Sequence, residues 1–298
     1  IRSTDSMLKL LQRLKPLCDA QGARLGLAPH SLRAVPPESL REALAGLAAI
    51  DPAAPVHIHI AEQTGEVDAC LAWSGQRPVE WLLDHAAVDA RWCLVHATHM
   101  SPDEYARAAR TGAVAGLCPS TEANLGDGLF DMPAWLAAGG AWGLGSDSHA
   151  TVNAAEELML LEYGQRLQRR ERNVLATTAQ PQVATAMVLQ AVAGGRQAGG
   201  WNDRPHPSPL PHAGAHTECG LAVGQPADFV VLDADHVALA GLSAAEMLSS
   251  HVFASHRTSA IAGVWTRGVQ RLQAGRHALH QAAAAAFVAA RAQLRDTA

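Results

Sequence analysis

The sequence lacks the cysteine pattern of a disulfide-bonded protein or of a zinc site built from thiolates. Its five cysteines are scattered, odd in number and never arranged as a CxxC pair. They are Cys18, Cys70, Cys93, Cys118 and Cys219. Disulfide frameworks and thiolate zinc sites need paired, regularly spaced cysteines. The pattern is typical of a protein in a reducing compartment, and we expect a cytoplasmic location.

The sequence also lacks a strong charge of one sign and long apolar runs. The formal net charge is −5 and there is no basic block, so the chain offers no electrostatic footprint for nucleic acid or for an anionic membrane. No apolar run reaches the roughly 18 residues that a membrane-spanning helix needs, and no charged-then-apolar leader opens the chain. These absences argue against nucleic-acid and membrane partners and favour a small-molecule substrate.

The chain begins inside a helical pattern. Its first residues, IRSTDSMLKLLQRLK, start with isoleucine instead of methionine and space Leu8, Leu11 and Leu14 as in an amphipathic helix. The 298 residues, 48% of them hydrophobic, suffice for about one large domain or one and a half. We therefore expect the sequence to be the C-terminal part of a longer protein.

Short apolar segments alternate with helical patterns between residues 23 and 150. The predicted strands are 23–29, 56–62, 91–99, 113–119 and 141–149, and the predicted helices between them are 36–50, 78–87, 101–112 and 132–140. Such alternation predicts repeated βα units around a parallel sheet. The predicted fold class is therefore α/β.

Each predicted strand carries polar residues at its carboxyl end. They are His30, His59 with Glu62, His96, the segment after Cys118, and Asp147. In a (β/α)8 barrel of the TIM type, functional residues lie at the carboxyl ends of the parallel strands. We predict such a barrel, with about the last five strands present and about three βα units expected upstream of Ile1, because a complete barrel needs about 250 residues.

The whole sequence divides into four predicted segments. Residues 1–198 form the barrel part and end in two amphipathic helices at 153–170 and 180–200. Residues 199–218 are rich in Pro, His and Gly and predict a flexible insertion, whose histidines we interpret as solvated rather than as metal ligands. Residues 219–275 predict a small β-rich accessory domain, and residues 276–298 predict a C-terminal helix.

The segment PVHIHIAEQTGE places two histidines on one face of a strand. His57 and His59 alternate with Val56, Ile58 and Ile60, so the strand has one polar face. That face is either an exposed edge or the wall of a site, because burying unpaired polar groups costs free energy. We expect His57, which lies deeper in the strand, to be a packed and hydrogen-bonded residue.

His59 and Asp147 could supply one imidazole nitrogen and one carboxylate oxygen to zinc or a similar metal. Taken alone, His59 is equally explained as a hydrogen-bonded strand residue, and Asp147 as a helix cap or turn residue. Both occur at equivalent strand ends, however, with His96 at another strand end between them. The joint occurrence favours a metal site.

Five motifs, in this order, give the sequence a family resemblance. They are APHSLRAV, HIAEQTGEV, LVHATHMS, CPSTEANLGDG and LGSDSHA. The set resembles the aminohydrolase branch of the amidohydrolase superfamily, and APHSLRAV, HIAEQTGEV and CPSTEANLGDG resemble the formimidoylglutamate deiminases. The likeness covers residues ~5–195 and resumes near residue 219.

The resemblance implies roles for the polar residues at the strand ends. His59 would be a metal ligand, and Asp147 a second ligand that also accepts a proton from bound water. Glu62 would move protons between water, substrate and departing ammonia, and His96 would lie against the developing tetrahedral centre. A carboxylate in reach of the water can perform such proton transfer.

In APHSLRAV, the resemblance implies that His30 and Arg33 bind the substrate. Arg33 suits a carboxylate, because its planar guanidinium offers paired donors. His99 competes with His96 for the catalytic role, but His96 directly follows the apolar run and His99 begins the next loop. Glu122, Asn124 and Asp127 either line the pocket or form the turns around Gly126 and Gly128.

The resemblance implies a metal-dependent hydrolase, a deiminase that converts N-formimidoyl-L-glutamate to N-formyl-L-glutamate and ammonia in histidine degradation, with zinc or iron as cofactor. One alternative is a deaminase of a purine or other ring amine of the same superfamily. Another is a truncated, inactive remnant that acts as a binding module. Replacing Arg33 would discriminate between the two deaminases, because it should sharply raise the KM for a dicarboxylate substrate and matter little for a neutral ring. Related enzymes are often dimers, so a homodimer is compatible with the resemblance.

The family's HxH metal pair at the end of the first barrel strand has no counterpart here, because the HIH segment belongs to a later strand. Half of the expected metal ligands are therefore absent from these 298 residues. We expect the isolated chain to bind zinc weakly and to be inactive, because a catalytic zinc site needs about three protein ligands. Metal analysis of the isolated chain after dialysis tests this, and stoichiometric, tightly held zinc would contradict it.

Overall fold

The structure is a computed structural model that describes residues 3–201, 221, 223, 226–254 and 258–296. The chain divides into two compact units, Ile1–Cys219 and Gly220–Ala298. Of the predicted insertion at 199–218, residues 202–218 lie outside the described residues. Each unit is built differently.

The first unit is a set of βα units around a parallel sheet. Its helices are α1 (Thr4–Gln21), α2 (Pro37–Ile50), α3 (Thr64–Ser74), α4 (Pro78–His85), α5 (Pro102–Arg110), α6 (Pro119–Leu125), α7 (Met132–Ala137), α8 (Ala154–Arg169) and α9 (Val183–Ala198). Its strands are β1 (Val56–Ile60), β2 (Trp92–His96), β3 (Val114–Leu117) and β4 (Ala141–Leu144). The strands pair in the order β1-β2-β3-β4, all in parallel.

The parallel sheet supplies much of the core of this unit. Parallel strands are covered by helices on their faces and so consist of nearly continuous apolar residues. Ile58 and Ile60 in β1, Trp92 and Leu94 in β2, and Trp142 in β4 are at most 1% exposed. The helices between the strands obey the expected end signals: in α5, Ser101 Oγ accepts a hydrogen bond from Glu104 N at 3.2 Å, and Gly112 follows with φ +78°.

The predicted strand at residues 23–29 is wrong in extent: only isolated bridges join Leu27 to Val56 and Ser31 to His59. The chain does run parallel to β1, since Leu27 N donates to Pro55 O at 3.0 Å and His57 N donates to Leu27 O at 2.9 Å. A regular parallel ladder would next use the N–H of residue 29, which is a proline and has none. Pro29 therefore interrupts the ladder.

The C-terminal end of α9 lies at the amino ends of the strands. Gln197 Nε2 donates to Ala90 O at 3.0 Å and to Gly112 O at 2.7 Å, and these carbonyls precede β2 and β3. His57 Nε2 hydrogen bonds to Ala198 O at 2.8 Å. The prediction that His57 is a packed, hydrogen-bonded residue is confirmed, and its role is to fasten β1 to α9.

The second unit is an antiparallel sheet with two helices. It contains β5 (Phe229–Leu232), α10 (Ala244–Phe253), β6 (Ile261–Thr266), β7 (Val269–Gln273), β8 (Arg276–His277) and α11 (His280–Asp296). The strands pair in the order β5-β6-β7-β8. The rings of Phe229 and Trp265, on β5 and β6, stack with centroids 4.9 Å apart. Across the described part of both units, no helix is long and apolar enough to cross a membrane.

Helix α9 lies so close to β4 that adding one methyl group at the contact should push the two elements apart. A Cβ added at Gly194 would lie 1.9 Å from the carbonyl oxygen of Trp142, whereas one added at the neighbouring Gly195 would meet nothing within 4 Å. We expect Gly194→Ala to lower the free energy of unfolding by about 3 kcal/mol or more. The added methyl group would meet backbone atoms of β4, which cannot move aside as a side chain can.

Gly195→Ala is the matched control on the same helix. We expect it to be neutral or to stabilise the protein by up to about 1 kcal/mol, since alanine has the higher helix propensity. Urea unfolding of both variants measures the difference, and equal effects would show that the approach of α9 to β4 is not as close as described.

Candidate active site

The carboxyl ends of the parallel strands bring four of the predicted site residues together. Nε2 of His96, the last residue of β2, lies 3.8 Å from Glu62 Oε1 and 4.0 Å from Asp147 Oδ2. The rings of His59 and His96 stack with centroids 5.6 Å apart. Residues from three strand ends therefore surround one small volume.

The ring of His59 is oriented by the segment before β1. His59 Nδ1 lies 2.7 Å from the carbonyl oxygen of His30. A carbonyl only accepts, so Nδ1 carries the hydrogen and Nε2 keeps its lone pair in the neutral ring. Metal-binding histidines show this arrangement, with one nitrogen donating to a carbonyl or carboxylate and the other free for the metal.

The ring of His96 is fully buried and also fixed at Nδ1. Its Nδ1 lies 3.2 Å from Glu122 Oε1, and its Nε2 has no hydrogen-bond partner among the described residues. Burial lowers the pKa of His96, but the hydrogen bond with Glu122 and the charges of Glu122, Glu62 and Asp147 outweigh it and raise the pKa above its usual value. The unpartnered nitrogen faces the two carboxylates.

The backbone is strained at these strand ends. Residues other than glycine with φ in the left-handed region occur after β1, at the end of β2 and after β4: Ala61 (+48°), His96 (+66°), Ala97 (+50°) and Asp147 (+36°). Each such residue costs on the order of 1–3 kcal/mol and persists only where its surroundings hold it. Because two of the four are predicted site residues, the strain supports a functional role for this end of the sheet.

The donor chemistry fits part of a metal site. The described residues contain no group of three or more His, Cys, Asp or Glu that could hold a metal ion. The free Nε2 of His59 and the carboxylate of Asp147 are nevertheless suitable ligands for zinc or iron. The buried, unpartnered Nε2 of His96 needs a polar partner in the same volume. The described residues thus suit a metal but supply only some of its ligands.

Arg33 lies at the site, paired with carboxylates of the chain itself. Its Nη2 lies 2.7 Å from Glu62 Oε2 and its Nε lies 3.8 Å from Glu66 Oε2. The Arg33 side chain is 36% exposed, so solvent and ligands can reach it. The predicted substrate-binding residue therefore contacts the predicted proton carrier directly. His30, the other predicted substrate contact, is exposed, and its ring lies 5.0 Å from that of His59.

The rival residue His99 points elsewhere. Its Nε2 donates to the carbonyl oxygen of Asp127 at 2.7 Å, and the Asp127 side chain accepts from Gln63 Nε2 at 2.7 Å. These bonds hold the turn before Gly128 against the ends of β1 and β2. Asn124 is exposed. The geometry supports His96 over His99 as the histidine that faces Glu62 and Asp147.

Two buried carboxylates near the site have contacts that the sequence reasoning missed. Glu66, in the first turn of α3, accepts from Glu62 N at 2.9 Å. Glu122, in the first turn of α6, accepts from Cys118 N at 2.9 Å as well as from His96. The signal in the sequence is spacing: each acid lies four residues after the residue whose N–H it accepts, at the start of a helix.

Comparisons with known proteins agree with this geometry. Residues 2–188 match the family model described as Amidohydrolase family. The formimidoylglutamate deiminase of Pseudomonas aeruginosa is 47% identical over 300 residues, which cover 99% of this chain and 61% of that protein. The chain therefore spans less than two thirds of the length of this relative.

Solved structures give the same result. An amidohydrolase from Brucella melitensis matches with a TM-score of 0.87 and 44% identity over 99% of this chain and 60% of that chain. An adenosine deaminase from Xanthomonas campestris, described with bound zinc, matches with a TM-score of 0.74 and 24% identity over 91% of this chain and 56% of that chain. The second likeness supports the fold alone.

The predicted TIM-type barrel fold with an accessory antiparallel sheet is confirmed, and the chain is partial relative to these homologues. The family match covers well over half of the chain. The chain belongs to the amidohydrolase family.

Proposed function

We propose that the full-length protein is a deiminase that hydrolyses N-formimidoyl-L-glutamate. Water adds to the formimidoyl carbon, the bond from that carbon to the terminal nitrogen breaks, and the products are N-formyl-L-glutamate and ammonia. The observation that carries the proposal is the contact between Arg33 and Glu62 at 2.7 Å, because it sets a carboxylate-binding group beside a group that can move protons. The 47% identity to a formimidoylglutamate deiminase supports the choice of substrate.

The metal would be held in part by His59 and Asp147. A zinc or iron ion held there would lower the pKa of a bound water molecule toward neutrality, which would make hydroxide available at neutral pH. Glu62 accepts a proton from the water and delivers it to the nitrogen that departs as ammonia. His96, with Nε2 3.8 Å from Glu62 Oε1, in its protonated form donates a hydrogen bond from Nε2 to the oxygen on which charge develops in the tetrahedral intermediate.

Arg33 links substrate binding to this proton transfer. A glutamate carboxylate competes with Glu62 for the guanidinium, since both are planar carboxylates that take paired N–H donors. When the substrate takes Arg33, Glu62 is released from its partner. A neutral ring amine has no group that could displace Glu62, so the pair favours a dicarboxylate over the ring substrates of other deaminases.

Replacing Arg33 should weaken binding of the dicarboxylate selectively. We expect Arg33→Met in the full-length, zinc-supplied protein to raise KM for N-formimidoyl-L-glutamate by about 10- to 100-fold. This is the loss of affinity expected when a hydrogen bond between charged groups is removed. KM for a neutral amidine should change little. The matched control is Arg41→Met on α2, whose ion pair with Glu38 is exposed to solvent. An unchanged KM for the dicarboxylate would favour a ring amine as substrate.

Replacing Glu62 should slow proton transfer without unfolding the protein. We expect Glu62→Gln to lower kcat by about 10²- to 10⁴-fold, the usual contribution of a general acid-base group. Circular dichroism should stay that of the parent, and KM should stay the same or fall, because the substrate no longer competes with a carboxylate for Arg33. Glu38→Gln on the exposed face of α2 serves as control. Full turnover by Glu62→Gln would contradict the proposed role of Glu62.

A further inference from the structure

We propose that Glu122 is a positioning residue that fixes the ring of His96 so that Nε2 faces Glu62 and Asp147. The kinetic part of this inference rests on the proposed function, whereas the part that concerns the ring does not. Glu122 follows β3 as part of α6, and its side chain is only 6% exposed. It is placed to act on His96 and not on the substrate.

One oxygen of Glu122 collects two hydrogen bonds. Glu122 Oε1 accepts from Cys118 N at 2.9 Å and from His96 Nδ1 at 3.2 Å. An ionised carboxylate has no hydrogen to donate, so Nδ1 must carry the one in this contact. The remaining ring nitrogen, Nε2, is therefore the one that can exchange hydrogen bonds or protons with the reacting groups.

The contact selects one orientation of the His96 ring about its Cβ–Cγ bond. The backbone at His96 has a φ of +66°. It is held in place by the hydrogen bond that Ala97 N donates to Ile60 O at 3.0 Å. The torsion of an imidazole about the Cβ–Cγ bond has two broad, nearly equivalent settings, and turning the ring over would exchange Nδ1 with Cδ2 and Nε2 with Cε1. Turning it over also breaks the bond with Glu122. The carboxylate thus selects one setting.

A purely structural role for Glu122 would be to hold the start of α6. A second buried carboxylate already holds that segment, since Glu157 Oε2 accepts from Ser120 N at 2.8 Å and its Oε1 accepts from Ser120 Oγ at 2.5 Å. Glu157 is 2% exposed, and these contacts do not include His96. It is therefore a matched control for the loss of a buried carboxylate that contacts the same helix.

The kinetic test compares three variants of the full-length, zinc-supplied protein. We expect Glu122→Met to lower kcat by about 10- to 100-fold, the usual effect of losing a group that orients a site residue, with little change in KM. Glu122→Gln should restore most of the rate, because its amide oxygen can accept both hydrogen bonds. Glu157→Met should retain the rate. Equal losses in Glu122→Met and Glu157→Met would overturn the proposal.

The spectroscopic test needs no turnover. Long-range ¹H–¹⁵N spectra of the full-length protein with ¹⁵N-labelled histidine distinguish the two ring tautomers, and a His96→Gln variant assigns the signals. Above the pKa of the ring, we expect His96 to be the Nδ1–H tautomer in the parent, in Glu122→Gln and in Glu157→Met. Glu122→Met should lose this preference.

An Nε2–H tautomer in the parent would overturn the proposal even if Glu122→Met failed to fold. A parent with the expected tautomer but no deiminase activity would contradict the proposed function and leave the positioning of His96 by Glu122 supported.

Discussion

The parallel register between β1 and β2 is the constraint on which the site depends. It sets Ile60 opposite His96 and His59 opposite Val95, so that a histidine from each strand reaches the same end of the sheet. Side chains alternate between faces along a strand, and a slip of one residue would turn His59 to the opposite face. The stacked rings, the contact of His96 with Glu62 and any metal site would then be lost together.

The sequence predicted the position of polar side chains correctly where they directly follow a short apolar run. His59, His96 and Asp147 could be placed at strand ends because each comes at or just after a short apolar strand, and parallel strands end on the same side. It failed at residues 23–29, where apolar composition predicted a strand but the missing N–H of Pro29 interrupts the ladder. A local backbone donor therefore decided an outcome that hydrophobic pattern could not.

The contact of Glu122 with His96 was beyond sequence reasoning for a different reason. It joins residues 26 positions apart on separate βα units, and no periodicity relates them. Buried carboxylates elsewhere in this unit show why residue type alone is a weak guide. Glu104 accepts from Val79 N and Glu80 N, and Glu162 accepts from Val174 N and Leu175 N. Glu104 holds the first turn of α4 and Glu162 holds the segment between α8 and α9, whereas Glu122 holds the start of α6 and a site residue at once.

The end of α9 determines from which side of the sheet a small molecule can reach the site. Gln197 and Ala198 hydrogen bond to groups at the amino ends of the strands, so the end of α9 covers that side of the sheet. A small molecule therefore reaches His96 from the carboxyl ends of the strands. In the deiminase that we propose, ammonia would leave by the route through which the dicarboxylate arrives. The bulkier product, bound through its carboxylates, would stand in that exit, and the fold would then impose an order on the departure of the two products.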